Sequence, residues 1–181
     1  HELTELYASG ASWVPNSHGA AAVVLDVNTG EVLAMVSYPT YNANAFTTFP
    51  VMGTQAAQEI IQDVQDNDSR PQINRAAQGR YPSGSIMKSV TAIAALDSGN
   101  YTTEDTYMSI GTWDRDITRY DWLAGGHGVL NIAGAITQSC NSCFYEIGYL
   151  MDGVDPYLLP SYATRMGLGT PTGLTDIPES A

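Results

Sequence analysis

The segment RYPSGSIMKSVTAIAALDSG, residues 80–99, places Ser85 three positions ahead of Lys88, the only lysine in the chain. Residues three apart share one face of a helix, so an amine at Lys88 comes within reach of the Ser85 hydroxyl. A neutral amine in that position takes the hydroxyl proton and turns serine into a nucleophile for a carbonyl carbon. Lysine is ordinarily charged at neutral pH. Bringing its pKa from ~10.4 to near 7 requires roughly 4–5 kcal/mol of destabilisation of the ammonium form. Apolar neighbours (Ile86, Met87, Val90 and Ile93) and the positive end of a helix both act in that direction. Pro82-Ser83-Gly84 turns the chain tightly and sets Ser85 in the first helical turn, where unpaired backbone N–H groups can hold an oxyanion. The plainer reading is that Ser85 caps the helix and Lys88 snorkels to solvent.

A second cluster follows 54 residues after Ser85, at Ser139-Cys140-Asn141, where two helical stretches meet. A serine and an amide there serve as caps, or they supply a second hydroxyl for proton relay and an amide that grips a substrate backbone. Cys140 and Cys143 stand one helical turn apart and read most simply as two small, half-buried side chains. A zinc site would need further ligands, and His1, His18 and His127 show no ligand spacing. No metal or cofactor is expected.

The elements that must position these groups are a hairpin followed by a helical block. Ala20–Val27 and Glu31–Tyr38 are apolar and β-prone, with Asn28-Thr29-Gly30 between them and the glycine taking a positive φ. Residues 39–50 read as irregular. Thr54 is expected to cap a helix to about Gln65, with Ala57, Ile60, Ile61 and Val64 on one face. A polar, broken stretch spans 66–79, and the nucleophile helix runs from about Gly84 to Asp97, ended by Ser98-Gly99. Residues 101–128 read as loop, carrying Trp113, Tyr120 and Trp122. Helices are expected over Leu130–Gln138, Ser142–Met151 and, with Asp155-Pro156 as cap and first residue, onward to near Gly167.

Composition sets the outer bounds. Of 181 residues, 44% are apolar and 14% charged, as in a globular chain with a real core. The net charge of -12, from 19 acidic and 7 basic residues, argues against nucleic acid and against a basic patch docking on anionic lipid. No apolar run of about 18 residues exists to span a bilayer. HELTELYASG lacks the pattern of a signal peptide, so any anchor is expected upstream.

RYPSGSIMKSVTAIAALDSG resembles the nucleophile helix of penicillin-binding protein transpeptidase domains, and QSCNSCFYEIG resembles their S-x-N segment. AAAVVLDVNTGEVLAMVSYPTYNAN is similar to the family's first hairpin, and TGLTDIPES to the segment after the S-x-N helices. The resemblance implies an α+β fold of the β-lactamase/transpeptidase type, with an antiparallel sheet flanked by a mainly helical subdomain. It implies Ser85 as the acylated nucleophile and Lys88 as its general base. Ser139 would shuttle a proton to the leaving group, and Asn141 would bind the substrate's amide carbonyl. The implied activity is a penicillin-sensitive D,D-transpeptidase that cross-links peptidoglycan stem peptides at the outer face of the cytoplasmic membrane. β-Lactams would acylate Ser85. Rival readings are a β-lactam-sensing or catalytically impaired module, a serine β-lactamase and a D,D-carboxypeptidase. A Ser–His–Asp hydrolase using His127 is a further rival, but no G-x-S-x-G elbow occurs.

The family's third element, K-T-G, does not occur in these residues. The expectation is therefore a partial domain over 1–181, with a hairpin at 19–38 and a helical block at about 54–167. A separate C-terminal polypeptide is expected to add the K-T-G strand to the hairpin, since a lone hairpin is marginal in water.

Overall fold

The computed structural model describes residues 19–180, which form two units: 19–80 with 174–180, and 81–173. The first is built on the hairpin. Strands β1 (Ala20–Leu25) and β2 (Val32–Tyr38) pair antiparallel, Val23 opposite Met35, with an irregularity at Val24/Leu25. β-Branched side chains favour the pleat, and the turn is written in its polar residues. The Asp26 carboxylate accepts the N–H groups of Asn28 (2.7 Å) and Thr29 (3.1 Å), and Gly30 has the expected positive φ of 77°. Val24, Leu25, Leu33 and Val36 remain exposed.

Helix α1 (Thr54–Asp66) buries Ala57 and Val64, while Ile60 and Ile61 are half-buried. Its cap is Gly53, whose carbonyl accepts the Ala57 N–H, and not Thr54, which is already helical. The stretch expected to be broken contains a short helix, α2 (Arg75–Gln78), started by Asn74. The Asn74 side chain accepts the Ala76 and Ala77 N–H groups. The Ser37 hydroxyl donates to Asn74 Oδ1 at 3.1 Å, tying α2 to β2.

The second unit carries the helical block. A 3-10 turn at Gly84–Ile86 leads into α3 (Met87–Asp97). Then come short strands β3 (Thr106–Ser109), β4 (Thr112–Trp113), β5 (Arg119–Tyr120) and β6 (Gly128–Asn131). Helices α4 (Ile132–Thr137), α5 (Asn141–Val154) and α6 (Leu158–Arg165) complete it. β3 pairs with β6, and β4 with β5, both antiparallel. The stretch read as loop thus holds three strands. Leu130, expected in a helix, lies in β6, because pairing with Tyr107 satisfies backbone groups that a helix start leaves open. The last helix begins two residues later than expected: Asp155 caps the preceding turn by accepting the Tyr157 N–H at 2.9 Å.

The core of this unit gathers Ala92, Ala94 and Ala95 of α3 against Ala135 of α4 and Phe144, Ile147 and Met151 of α5. Alanines on α3 let the facing helices approach closely. Fully buried Ile147 and Met151 each contribute about 1.5–3 kcal/mol by leaving water. No helix among the described residues is long and apolar enough to cross a membrane.

Candidate active site

Two segments supply the site, both within 81–173. The first is the 3-10 turn that leads into α3. Gly84 takes a φ of 55°, which a side chain would resist, and swings Ser85 onto the exposed 3-10 turn, one turn ahead of half-buried Lys88. The apolar shield expected around Lys88 is thinner than its own helix suggests. Val90 is buried, but Ile86 and Ile93 are exposed. The burial comes instead from the facing α4–α5 turn, with the Phe144 ring centroid 5.9 Å from Nζ.

The second segment is that turn. Ser139 follows the end of α4 with a φ of 50°, left-handed backbone more often given to glycine. The Ser139 N–H reaches the Ile136 carbonyl (3.0 Å) and the Cys140 N–H reaches the Ala135 carbonyl (2.9 Å), closing α4. Asn141 then opens α5. The chain reversal puts the Ser139 hydroxyl and the Asn141 amide on the side of Ser85 and Lys88.

All four residues singled out in the sequence meet. Ser85 Oγ lies 3.0 Å from Ser139 Oγ. Lys88 Nζ donates to the Ser139 carbonyl (2.6 Å), to Asn141 Oδ1 (2.6 Å) and to Ser139 Oγ (3.1 Å). The contact differs from the expected one in a single respect. Ser85 and Lys88 are joined through the Ser139 hydroxyl and not directly, because two carbonyl oxygens on the facing α4–α5 turn outcompete a hydroxyl on the amine's own helix. Burial pushes the Lys88 pKa below its ordinary value, and the Asp121 carboxylate opposes that shift.

Beneath the turn lies a network that the sequence did not announce. Asp121 is buried and accepts the Ser142 N–H (2.8 Å) and the Ser142 hydroxyl (3.0 Å) on one oxygen, and pairs with His127 Nε2 (3.1 Å) on the other. Ser109 Oγ lies 2.8 Å from Ser142 Oγ and accepts the His127 N–H at 3.2 Å. Burial alone would raise the Asp121 pKa, but its bonds from Ser142 and His127 outweigh burial and hold it below the usual carboxylate value. His127 therefore has an aspartate partner, yet the serines around that aspartate are buried, unlike the exposed Ser85.

Cys140 and Cys143 correct the sequence reading. They are fully buried and joined in a disulfide, with Cα atoms 5.5 Å apart. Two cysteines separated by one helical turn already lie within bridging distance. Asp121, His127 and Cys140 bring potential ligand atoms within 4.8 Å of one another, a proximity that sequence spacing did not suggest. The Cys140 sulfur is bonded to Cys143, and Asp121 and His127 are bonded to each other. Of the three aromatics between the motifs, Trp113 is core, packed on Tyr145 and Tyr149. Tyr120 and Trp122 are exposed, and the Trp122 indole donates to the Gln138 carbonyl at 3.2 Å, one residue before Ser139. Glu146 is held by the Trp113 indole (2.8 Å) and by Arg115 (2.8 Å), which accounts for a buried carboxylate structurally.

Residues 20–181 match the family model of the penicillin binding protein transpeptidase domain. The chain belongs to that family. Among similar proteins is a peptidoglycan D,D-transpeptidase, MrdA, of Salmonella typhimurium. It is 35% identical over 158 residues, which make up 86% of this chain and 24% of the relative. This transpeptidase chain thus spans about a quarter of the length of that relative. The PBP2 structure from Pseudomonas aeruginosa in complex with WCK 5153 superposes with a TM-score of 0.76 at 30% identity, covering 99% of this chain and 38% of that one. Penicillin-binding protein A from M. tuberculosis, solved as a ceftriaxone acyl-enzyme complex, gives a TM-score of 0.77 at 28% identity over 89% of this chain and 36% of that one. Transpeptidase membership and the mixed helix and antiparallel-sheet architecture agree with the fold class expected from the sequence.

Proposed function

We propose that this chain carries the nucleophile half of a serine D,D-transpeptidase, which cross-links peptidoglycan stem peptides through a Ser85 acyl-enzyme in the bacterial cell envelope. The observation that carries the reading is the continuous hydrogen-bonded path Ser85–Ser139–Lys88, with Asn141 beside it. In the neutral state the Lys88 amine has two N–H groups for its two carbonyl acceptors and one lone pair left for the Ser139 hydroxyl. Ser85 then passes its proton to Ser139 as Ser139 passes its own to Lys88, and the freed Ser85 oxygen attacks the penultimate D-Ala carbonyl. The new C–O bond forms as the C–N bond to the terminal D-Ala breaks, and the same relay run backwards protonates the departing amine. An amine from a neighbouring stem attacks the ester and releases Ser85. Two likenesses support the reading: the relative named as a peptidoglycan D,D-transpeptidase and the acyl-enzyme form of the M. tuberculosis structure.

The K-T-G strand is not among these 181 residues, whose only lysine is Lys88. In this reading a further polypeptide segment supplies it, pairing with the exposed hairpin. The test is intact mass of the complete transpeptidase domain after incubation with a penicillin, followed by peptide mapping. The expected result is one adduct on Ser85, stable for hours. An adduct on another serine would refute the site, and rapid release would favour a β-lactamase.

A further inference from the structure

Within that reading, on which this inference rests, we infer that Trp122 is a positioning residue for acyl transfer: its indole N–H holds the Gln138 carbonyl and so fixes the backbone that aims the Ser139 hydroxyl. Ser139 lies just past the end of α4, where helix carbonyls run out of intrahelical donors. Its own N–H and that of Cys140 turn back to the Ile136 and Ala135 carbonyls, which closes the helix. The carbonyls of Gln138 and Ser139 receive no backbone N–H among the described residues. Two side chains from distant segments take them instead. The Trp122 indole donates to the Gln138 carbonyl at 3.2 Å, and Lys88 Nζ donates to the Ser139 carbonyl at 2.6 Å.

These two carbonyls belong to the peptide planes on either side of the Ser139 Cα. A peptide plane is rigid, so holding the first fixes φ of Ser139 and holding the second fixes ψ. An L-residue keeps a φ of 50° only where its surroundings hold it there. Lys88 takes and returns a proton in the proposed reaction, so its bond to the turn changes as the reaction runs. The indole N–H is a donor only and does not titrate, which makes it the constant anchor of the pair. The Trp122 backbone is itself tied on both sides. The Asp121 N–H donates to the Gly111 carbonyl (2.9 Å) just before it, and the Gly126 N–H to the Leu123 carbonyl (2.9 Å) just after. The Trp122 ring lies against that of His127, with centroids 5.3 Å apart, yet the residue stays exposed and adds little to the core. Trp113, the other described tryptophan, is buried and gives its N–H to Glu146, away from the turn.

The test uses the complete transpeptidase domain and a fluorescent penicillin, mixed rapidly over a concentration range that separates noncovalent binding from the acylation step. Trp122→Phe keeps a ring and removes the N–H. It is expected to slow the acylation step about threefold to tenfold, the scale of one net hydrogen bond, with the binding constant unmoved and the melt within a few degrees of wild type. The same substitution made in Ser139→Ala is expected to slow acylation by less than about twofold, because the hydroxyl that Trp122 positions is already gone. Trp122→Leu enters the same cycle if Trp122→Phe does not fold. Equal slowing in both backgrounds would reduce Trp122 to general packing. Weakened binding with an unchanged acylation step would make it a wall of the ligand groove. Either result overturns the inference, as does a wild-type rate in Trp122→Phe. No Ser85 adduct in the wild type would overturn the acyl-transfer reading and this inference together. A wild-type adduct with any of those three results would overturn this inference alone.

Discussion

Ser139 is the one site residue held in left-handed backbone, at a φ of 50°, and the cost of that conformation can be measured. An L-residue there is destabilised by about 1–2 kcal/mol relative to right-handed backbone. Glycine escapes the penalty but gives up about 0.5–1 kcal/mol more chain entropy on folding. Ser139→Gly should therefore be about 0.5–1 kcal/mol more stable than Ser139→Ala, in which the strain persists. For a cooperative unit of 150–250 residues that is a difference of about 1–4 °C in Tm. Both variants lose the hydroxyl that lies 3.0 Å from Ser85 and 3.1 Å from Lys88. Both should acylate slower by on the order of a hundredfold or more, the scale of a lost proton-transfer group. The assay pairs thermal melts with acylation rates on the same preparations, so stability and activity are read independently. An alanine variant as stable as the glycine one would show that the turn stores no strain. A glycine variant acylating near the wild-type rate would remove Ser139 from the proton path.

Other perturbations separate the remaining features. Lys88→Arg should nearly abolish acylation while preserving the melt, since guanidinium cannot serve as a neutral base; a wild-type rate would make Lys88 a bystander. Gly126→Ala should destabilise by about 2 kcal/mol or more, seen in a urea melt, because a methyl there meets the Ser109 carbonyl and the Gly111 N–H at a positive φ; an unchanged midpoint would refute that close approach. Denatured protein should show no titratable thiol until a dithiol reductant is added, and Cys140→Ala/Cys143→Ala should cost about 2 kcal/mol, the loop-closure scale for so short a ring; two free thiols before reduction would contradict the bridge.

The four candidate site residues were legible because each motif is local. Pro82-Ser83-Gly84, the Ser85/Lys88 spacing and Ser139-Cys140-Asn141 each write their geometry within four residues. The hairpin was legible for the same reason: Asp26 and Gly30 define its turn. What stayed hidden was pairing at a distance. Strands of two residues, such as β4 and β5, carry no periodicity, and β6 hid inside an apolar run that also suits a helix. Asp121 reads as one more acid in a loop until Ser142, 21 residues later, folds onto it. Lys88 was expected to bond Ser85 because helical spacing was the only neighbour information in the sequence. The carbonyls that actually hold it come from a segment more than 50 residues away.

The Lys88–Asn141 contact also gives the site a polarity. A side-chain amide has an accepting end and a donating end that occupy nearly the same space, and what faces it decides which way it lies. Here the 2.6 Å contact with Nζ claims the oxygen, so the NH2 group must point away from the lysine. A ligand reaching this corner meets a donor and has to present an acceptor, such as an amide carbonyl. Aspartate, identical in outline, would keep the lysine contact and offer a second oxygen in place of the NH2. The same shape would then select ligands that donate, so one nitrogen atom sets the polarity of the group this corner accepts.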